Sequence, residues 1–350
     1  MAEAPLTAAP LTIAPLTIAV VGAGAWGSAL AHVCCGPQKN SGDRVLLWGR
    51  DAELVATLNA RHENPAYLPG IPLAEAIEAT DSLADLAAAG LCLLVVPAQA
   101  LREVAGELAG VLQPDVPVVL CAKGIEAESG KLMTEVAAEV LPGRPLAVLS
   151  GPTFAAEVAR GLPTAVTLAS GDRDLAARLA VTLGSRSFRP YLSDDPLGAE
   201  IAGAVKNVLA IACGIVAGRA LGDNARAALI TRGLAEMSRL VLARGGKPET
   251  LMGLAGLGDL TLTCTATQSR NYSFGVALGR GDDVAAAIAA SRGVVEGRFS
   301  AAATLAMART FDVELPICAA VDAVVNHGAA LDETIAALLA RPFKAEGFSA

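Results

Sequence analysis

The sequence predicts an α/β protein in which a doubly wound, mostly parallel sheet is followed by an all-helical domain. Short β-branched runs alternate with alanine- and leucine-rich stretches in the first half, the pattern of a parallel sheet covered on both faces. From Asp194 onward helix formers dominate, and the 350 residues suffice for two cores. We therefore predict a sheet domain over 16–193 and a helical domain over 194–342, with an N-terminal extension at 1–15 and a tail at 343–350.

Six strands are expected in the first domain, at LTIAVVG, RVLLWG, LCLLVVP, PVVLCAKG, LAVLSGP and TAVTLA. In the second domain, the apolar run GAEIAGAVKNVLAIACGIVAG predicts one long buried helix. The glycine-rich GLAGLGDLTLTCTATQSRN predicts a loop that interrupts the helices.

The hydrophobicity of the chain makes membrane insertion a possibility to test, since 53% of residues are apolar and the mean hydropathy is +0.49. The uncharged run AAAGLCLLVVPAQA contains Pro97 and Gln99 and is shorter than the roughly 20 apolar residues that span a bilayer. The N-terminal MAEAPLTAAPLTIAPLTI lacks the positive charges of a secretory signal. We expect no membrane insertion.

Charge and cysteine content argue against three further classes of protein. A formal net charge of −8 argues against a nucleic-acid-binding surface, which needs clustered Lys and Arg. The 7 cysteines are odd in number and include no CxxC pair, so neither a disulfide framework nor a zinc site is indicated. The sequence thus predicts a cytoplasmic protein with reduced thiols and no metal.

A dinucleotide-binding motif follows the first predicted strand. In GAGAWG, Gly22 permits the tight turn, Gly24 lets backbone amides approach a pyrophosphate, and Gly27 allows the next helix to pack closely. The helix start SALAHVC adds N–H groups and a favourable dipole for the phosphates. A strand before the motif, a helix after it and a second strand RVLLWGR predict a Rossmann NAD(P) site rather than a mere tight turn.

Arg50 and Asp51 bear on the choice of cofactor. An NAD-selective fold usually places an acidic residue at the end of the second strand, where it binds the ribose 2′-hydroxyl. Here Arg50 stands at that point and could pair with a 2′-phosphate, although it could also be a solvated loop charge. Asp51, one residue later, could still serve NAD. We expect NADP(H) or NAD(H), with NADP favoured.

Lys206 is the candidate acid–base group. A dehydrogenase acting on a secondary alcohol needs a group that takes or gives the hydroxyl proton. Lys206 lies in the apolar IAGAVKNVLAIACG, where burial and a nearby nicotinamide cation would lower its pKa, unless the side chain extends to solvent. Asn207 adds a hydrogen-bonding partner, and Gly203 on the same face leaves room for a ligand.

Two further segments supply candidate site residues. In GDLTLT, Asp259 could orient Lys206, or else form a cap or turn, and the hydroxyl of Thr263 follows. Lys123 in CAKGIE comes after a strand end, where open α/β sheets place ligand-binding groups.

Ser269, Arg270 and Asn271 form a candidate phosphate clamp. They bring together a hydroxyl, a guanidinium and an amide, and the guanidinium presents a fork of donors that matches phosphate oxygens. Taken alone, the tripeptide could equally be a solvated turn.

Taken together and in their order along the chain, these motifs resemble those of the NAD(P)-dependent glycerol-3-phosphate dehydrogenase family, from Ile18 to Arg341. The resemblance is carried by GAGAWGSALA, NPAYLPGI, CAKGIE, LSGPTFAAEVARGLPTAV, GAVKNVLAIACGI and GLGDLTLTCTATQSRNYSFG. It implies a Rossmann domain followed by a helical domain like that of 6-phosphogluconate dehydrogenase, in a homodimer. It also implies reversible reduction of dihydroxyacetone phosphate to sn-glycerol 3-phosphate, which supplies phospholipid synthesis.

The resemblance implies a role for individual residues. Lys206 would accept the proton in alcohol oxidation, with Asp259 and Lys123 as further catalytic residues. The substrate would be contacted by Lys123, Gly151, Thr153, Lys206, Asn207, Asp259, Thr263, Ser269, Arg270 and Asn271. The cofactor would be contacted by Gly22, Gly24, Ala25, Trp26, Gly27, Arg50, Tyr67, Lys123, Ala155, Arg270, Val294 and Glu296.

One departure from the family pattern is the segment Cys34–Asp43, CCGPQKNSGD, which is longer than the family's usual turn and affects the alignment of Arg50 and Tyr67. We expect this insertion at the surface, where added loop length costs little. Two other functions stay open: a lysine-dependent dehydrogenase of a hydroxy acid or ketopantoate, and an NADP-sensing module without turnover. The GPTFAAE and GDLTLT stretches argue against the first, and an intact Lys206 with Asp259 argues against the second.

Overall fold

The computed structural model describes residue 11 and residues 15–36, 43–291 and 293–342. Of the predicted extension at 1–15, only Leu11 and Pro15 are described, and the predicted tail at 343–350 lies outside the described residues. The middle of the insertion Cys34–Asp43 also lies outside them.

The described chain divides into two compact units. Among the described residues, the first unit combines those up to Ala122 with Thr134–Pro196, and the second combines Lys123–Met133 with those from Leu197 to residue 342. The short segment Lys123–Met133 follows a strand of the first unit but belongs to the second. Its Ile125 and Leu132 form an antiparallel bridge and are buried in the helical core. Lys123 is therefore a residue of the helical unit.

The first unit contains an eight-stranded sheet, with strand order β10-β9-β8-β7-β6-β1-β2-β5. All neighbouring strands are parallel except β8 and β9. The strands of this sheet are β1 (Thr17–Val21), β2 (Arg44–Trp48), β5 (Ile77–Thr80), β6 (Leu91–Leu94), β7 (Val118–Leu120), β8 (Leu146–Ser150), β9 (Thr164–Ala169) and β10 (Phe188–Ser193). A separate antiparallel pair is formed by β3 (Glu63–Asn64) and β4 (Leu68–Pro72).

The predicted doubly wound sheet is confirmed, and each of the six expected strands is present. Two strands of the sheet were not expected, Ile77–Thr80 and Phe188–Ser193, and they form its two edges. Edge strands need less apolar sequence than central ones because one side faces solvent. The second of them even contains Pro190, which an edge tolerates.

In the sheet, β2 and β5 lie on one side of β1, and the later strands β6 to β10 lie on its other side. Ligands of open α/β sheets bind at the carboxyl ends of the strands where the order reverses. In this unit that point follows β1, where Gly22 and Gly24 lie. The helices of the unit are α1 (Ala25–Cys34), α2 (Ala52–Arg61), α3 (Leu101–Ala109), α4 (Met133–Val140), α5 (Ala155–Ala159) and α6 (Arg173–Leu183), with 3-10 turns at Leu83–Ala88 and Ala98–Ala100.

The second unit is helical, as predicted. Its helices are α7 (Pro196–Gly218), α8 (Asp223–Ala243), α9 (Pro248–Leu251), α10 (Asp259–Thr265), α11 (Arg270–Arg280), α12 (Val284–Ala290), α13 (Glu296–Thr310), α14 (Pro316–His327) and α15 (Leu331–Leu339). The long helix α7 is the one described helix with the length and hydropathy of a membrane span, and 89% of its apolar window is buried within the protein. This burial is typical of the central helix of a globular core.

The loop predicted for GLAGLGDLTLTCTATQSRN is wrong. The segment instead forms a π-helical turn at Leu254–Gly258, helix α10, a short turn and the start of α11. An added Cβ at Gly256 would lie 2.2 Å from the carbonyl oxygen of Leu251. The glycine thus permits close backbone packing inside a helical segment. A glycine-rich composition is compatible with both such a segment and a loop, so composition alone does not distinguish them.

Candidate active site

The glycine loop after β1 has the geometry that a close ligand approach requires. Gly22 has a φ of +123°, and an added Cβ there would lie 2.7 Å from the carbonyl oxygen of Val95. An added Cβ at Gly27 would lie 1.7 Å from the carbonyl oxygen of Gly22, so only glycine lets α1 pack on the turn. Around Gly24, no atom lies within 4 Å of the corresponding position. The start of α1, with Ala25 and Trp26, is therefore open to a phosphate near Gly24.

Asn64 holds this loop and was not identified from the sequence. Its buried amide donates to the carbonyl oxygen of Ala23 at 2.9 Å and to Oγ of Ser28 at 2.8 Å. Its Oδ1 accepts the backbone N–H of Tyr67 at 3.1 Å. Asn64 thus ties the segment that carries the exposed Tyr67 to the glycine loop. The motif NPAYLPGI contains this asparagine, but its hydrogen-bond partners are distant in sequence, so the motif alone does not indicate its role.

Arg50 and Asp51, which follow β2, have different roles. Arg50 is exposed and pairs with Glu103 at 3.3 Å, with side-chain exposures of 56% and 64%. Such an exposed pair contributes little and leaves the guanidinium available to an anion. Asp51 is the N-cap of α2, where Oδ1 accepts the N–H groups of Glu53 and Leu54 at 3.0 and 3.2 Å.

Three other predicted contacts also belong to the first unit. Gly151 has a φ of +133°, and an added Cβ would lie 3.1 Å from the Cα of Val166, so the turn after β8 requires glycine. The hydroxyl of Thr153 donates to the carbonyl oxygen of Gly151 at 3.1 Å and stabilises this turn. Ala155 is the first residue of α5.

Asp259 lies between two lysines in the second unit. Its Oδ1 is 2.6 Å from Nζ of Lys206, and its Oδ2 is 2.8 Å from Nζ of Lys123. Lys206 also donates to Oγ1 of Thr263 at 2.8 Å. Because Asp259 and Thr263 are four residues apart on α10, both side chains reach the same ammonium group. The carboxylate is thus an ion-pair partner and not the cap or turn residue considered from the sequence.

Burial and charge set the protonation of this group. Burial lowers the pKa of Lys206 to about 8, against the opposing effect of Asp259 and with a smaller contribution from the charge of Lys123. Burial would raise the pKa of Asp259, but the two lysine charges outweigh it and hold that pKa below its ordinary value. The result is a carboxylate beside a lysine that gains and loses its proton near neutral pH. Such a lysine suits general acid–base catalysis.

The N-terminus of α11 carries the predicted clamp. Ser269 caps the helix, and its Oγ accepts the N–H of Tyr272 at 3.2 Å. Arg270 is exposed and lies beside Gly293, where an added Cβ would be 2.7 Å from a guanidinium nitrogen. Gly293 has a φ of +110° and was not identified from the sequence. The structure thus brings Arg270 next to the segment that contains Val294.

Two asparagines connect these elements. The Asn207 amide nitrogen donates to the carbonyl oxygens of Lys123 and Gly203, at 3.2 and 3.3 Å, and its Oδ1 accepts from the Asn271 amide nitrogen at 2.9 Å. Oδ1 of Asn271 in turn accepts the N–H of Gly297 at 3.0 Å. The second unit therefore brings the predicted Lys123, Asn207 and Asn271 into one hydrogen-bonded network, which ends one residue after Glu296.

Among the described residues, no group of three or more His, Cys, Asp or Glu side chains is arranged to hold a metal ion.

Comparison with known proteins gives concordant matches to both units. Residues 17–176 match the family model for the N-terminus of NAD-dependent glycerol-3-phosphate dehydrogenase, and residues 195–336 match the model for its C-terminus. The chain is 56% identical over 328 residues to a glycerol-3-phosphate dehydrogenase (NAD(P)+) of Methylobacterium radiotolerans, covering 93% of this chain and 97% of the relative. For the protein of the same name from Parvibaculum lavamentivorans, the identity is 54% over 327 residues, with coverages of 93% and 97%.

A solved structure agrees with the sequence matches. The crystal structure of glycerol-3-phosphate dehydrogenase from Coxiella burnetii superimposes with a TM-score of 0.88 at 42% identity, over 93% of this chain and 99% of that chain.

Proposed function

The chain belongs to the NAD-dependent glycerol-3-phosphate dehydrogenase family, and from this premise we propose that it reversibly reduces dihydroxyacetone phosphate to sn-glycerol 3-phosphate with NADPH or NADH. The observation that carries the proposal is the buried ammonium of Lys206, held by Asp259 at 2.6 Å. Reduction of a ketone requires a proton donor at the carbonyl oxygen, and this lysine has a pKa suited to that role. The product would supply phospholipid synthesis.

The residues after β1 fit a dinucleotide. The open space at Gly24 and the N-terminus of α1 suit a pyrophosphate, and Ala25, Trp26, Tyr67 and Ala155 are further proposed contacts. When bound, the nicotinamide supplies the hydride, and the protein contributes binding, orientation and proton transfer.

In the reducing direction, Lys206 would protonate the oxygen of the former carbonyl as negative charge develops on it. Asp259 keeps the ammonium charged and directed, and Thr263 accepts a second of its three protons. Lys123, whose side chain is 15% exposed, adds a second positive charge on the other oxygen of Asp259 and is a proposed contact for both substrate and cofactor. In the oxidising direction, neutral Lys206 would accept the hydroxyl proton.

The phosphate of the substrate is proposed to bind at the start of α11. Arg270 offers a fork of N–H donors, and the helix dipole favours an anion at this end. Asn271 uses its Oδ1 and one amide proton within the protein, which leaves a second amide proton to donate. Arg270 beside Gly293 also supports a contact with the cofactor, together with Val294 and Glu296.

The assay that tests the function compares NADPH and NADH oxidation with dihydroxyacetone phosphate, ketopantoate and unphosphorylated dihydroxyacetone. We expect rapid turnover of the phosphorylated ketone only. Turnover of ketopantoate would instead indicate a hydroxy-acid dehydrogenase. Nucleotide binding without turnover of any ketone would indicate a sensor of the NADPH to NADP ratio.

The pH dependence should report Lys206. Because the ammonium is the acid in ketone reduction, kcat/KM for dihydroxyacetone phosphate should fall tenfold per pH unit above a pH of about 8. In alcohol oxidation neutral lysine is the base, so kcat/KM should rise with pH up to about 8 and then level off. Steady-state rates in both directions test this. Profiles with the same slope in both directions would contradict the assignment.

Arg50 should determine cofactor preference. The charge-assisted hydrogen bonds of a guanidinium to a 2′-phosphate contribute about 1.5–3 kcal/mol, so Arg50→Ala should raise the Kd of NADPH by roughly 10- to 100-fold. The Kd of NADH should change less than about threefold, because its ribose lacks the phosphate. Arg61→Ala, at the exposed end of α2, is the matched control. An equal loss of affinity for both nucleotides would rule out the proposed contact.

A further inference from the structure

Helices α7 and α11 contact each other through four glycines. An added Cβ at Gly275 would lie 2.1 Å from the carbonyl oxygen of Ile211 and 3.0 Å from the Cα of Gly214. One turn further along both helices, an added Cβ at Gly279 would lie 2.9 Å from the Cα of Gly218. Backbone therefore occupies the space that side chains would fill, and both G-x-x-x-G pairs are required for this close approach.

The two helices run in the same direction. Asn207 of α7 is hydrogen-bonded to Asn271 of α11, and the contacts then advance along both helices through the two glycine pairs. Interlocked backbones resist sliding and separation, because any movement either opens a void or forces a clash. The glycines therefore set the position of α11 relative to α7.

Asn207 reinforces this arrangement. Its amide nitrogen has two protons, and they are directed at the carbonyl oxygens of Lys123 and Gly203. Its Oδ1 accepts from Asn271. Asn207 thus joins three segments of the unit and is better suited to position its neighbours than to donate to a phosphate.

The two asparagines at one end of the helix contact, Asn207 and Asn271, are each adjacent in sequence to a residue with a proposed role in the reaction. Lys206 precedes Asn207 on α7, and Arg270 precedes Asn271 on α11. The packing of the helices therefore sets the distance between the backbone positions that carry the proton donor and the phosphate-binding guanidinium. A substrate must place its carbonyl oxygen at one and its phosphate at the other, and the bonds between them give it a fixed reach.

We propose that the glycine contact between α7 and α11 is a specificity determinant for substrate length. Gly214, Gly218, Gly275 and Gly279 are positioning residues that hold Lys206 and Arg270 at the separation suited to a ketone with one methylene between its carbonyl carbon and its phosphate ester oxygen. This inference rests on the proposed function, because it assigns the carbonyl to Lys206 and the phosphate to Arg270.

The test measures substrate selectivity in the full-length variant Gly275→Ala. The substrates are dihydroxyacetone phosphate and 4-hydroxy-3-oxobutyl phosphate, which is longer by one methylene. A misplacement of about 1 Å lowers a rate by about 100-fold, so kcat/KM for dihydroxyacetone phosphate should fall by that factor. The longer ketone should lose less than about tenfold, because wider helices suit its greater reach. The selectivity ratio should therefore fall at least about tenfold.

A control variant and a second test variant separate positioning from stability. Gly106→Ala, in the exposed middle of α3 where no atom lies within 4 Å of the added Cβ, should leave the ratio unchanged. Gly279→Ala, one turn further from Arg270, should change it in the same direction by less, and it replaces Gly275→Ala if that variant does not fold. Partial unfolding lowers both rates in parallel and leaves the ratio intact.

If the wild-type protein reduces dihydroxyacetone phosphate but a folded variant keeps the same ratio of kcat/KM for the two ketones, the length inference alone is overturned. Failure of the wild-type protein to reduce dihydroxyacetone phosphate would instead overturn the proposed function on which it rests.

Discussion

Replacing Lys206 with alanine should lower kcat for dihydroxyacetone phosphate by about a thousandfold, the loss expected when a positioned general acid is removed. The variant should keep its fold, because Asp259 retains its 2.8 Å ion pair with Lys123 and does not become an unpaired buried charge. The Kd of NADPH should be nearly unchanged, since the proposed contacts with the nucleotide come largely from other residues. Steady-state kinetics and nucleotide titration measure both quantities.

The exposed Lys247 provides the matched substitution, because Lys247→Ala removes a lysine from the same unit at the N-cap of α9. Its kcat should equal that of the wild-type protein. The proton-transfer role of Lys206 is wrong if Lys206→Ala retains a kcat within about tenfold of the wild-type value, since a general acid contributes at least about 100-fold.

Arg270→Ala should lower kcat/KM for dihydroxyacetone phosphate by roughly 100- to 10,000-fold. Two charge-assisted hydrogen bonds to the phosphate contribute about 3–6 kcal/mol together, and most of this would appear as a higher KM. At saturating NADPH, the slow turnover of unphosphorylated dihydroxyacetone should change little, because that substrate has no phosphate for the guanidinium to bind. The ratio of kcat/KM for the two ketones therefore isolates the phosphate contact.

Arg280→Ala is the control for this substitution, because Arg280 is the last residue of the same helix α11. It should leave both ketones unaffected. An NADPH titration of Arg270→Ala then distinguishes substrate from cofactor contact. Equal losses for phosphorylated and unphosphorylated ketone would show that Arg270 does not bind the substrate phosphate.

The central strands and the long helix α7 were predictable because their signals are local. A strand buried on both faces requires a continuous apolar run, and a helix buried on all sides requires a longer one. The edge strand Phe188–Ser193 and helix α10 gave no such signal. The first has one solvated side, and the second begins shortly after Gly256, whose packing against Leu251 is visible only in the fold.

In the candidate site too, some residues could be predicted from the adjacent sequence, whereas others depend on contacts with residues far away in the sequence. The spacing of Gly22, Gly24 and Gly27 and the setting of Lys206 in an apolar run are local features, so they pointed to a dinucleotide loop and an acid–base lysine. The role of Asn64 depends on partners 36 and 41 positions away, and no pattern in NPAYLPGI specifies them.

The sequence by itself determined the fold class, the glycine loop and the residue types available for chemistry, because each depends on neighbours along the chain. Only the tertiary structure decided that Lys123 and Lys206, 136 and 53 positions from Asp259, share its two oxygens. It also decided that the glycines of α7 and α11 face each other. Contacts between residues so distant in sequence depend on how the whole core packs. The residues adjacent to each of them in the sequence therefore do not indicate these contacts.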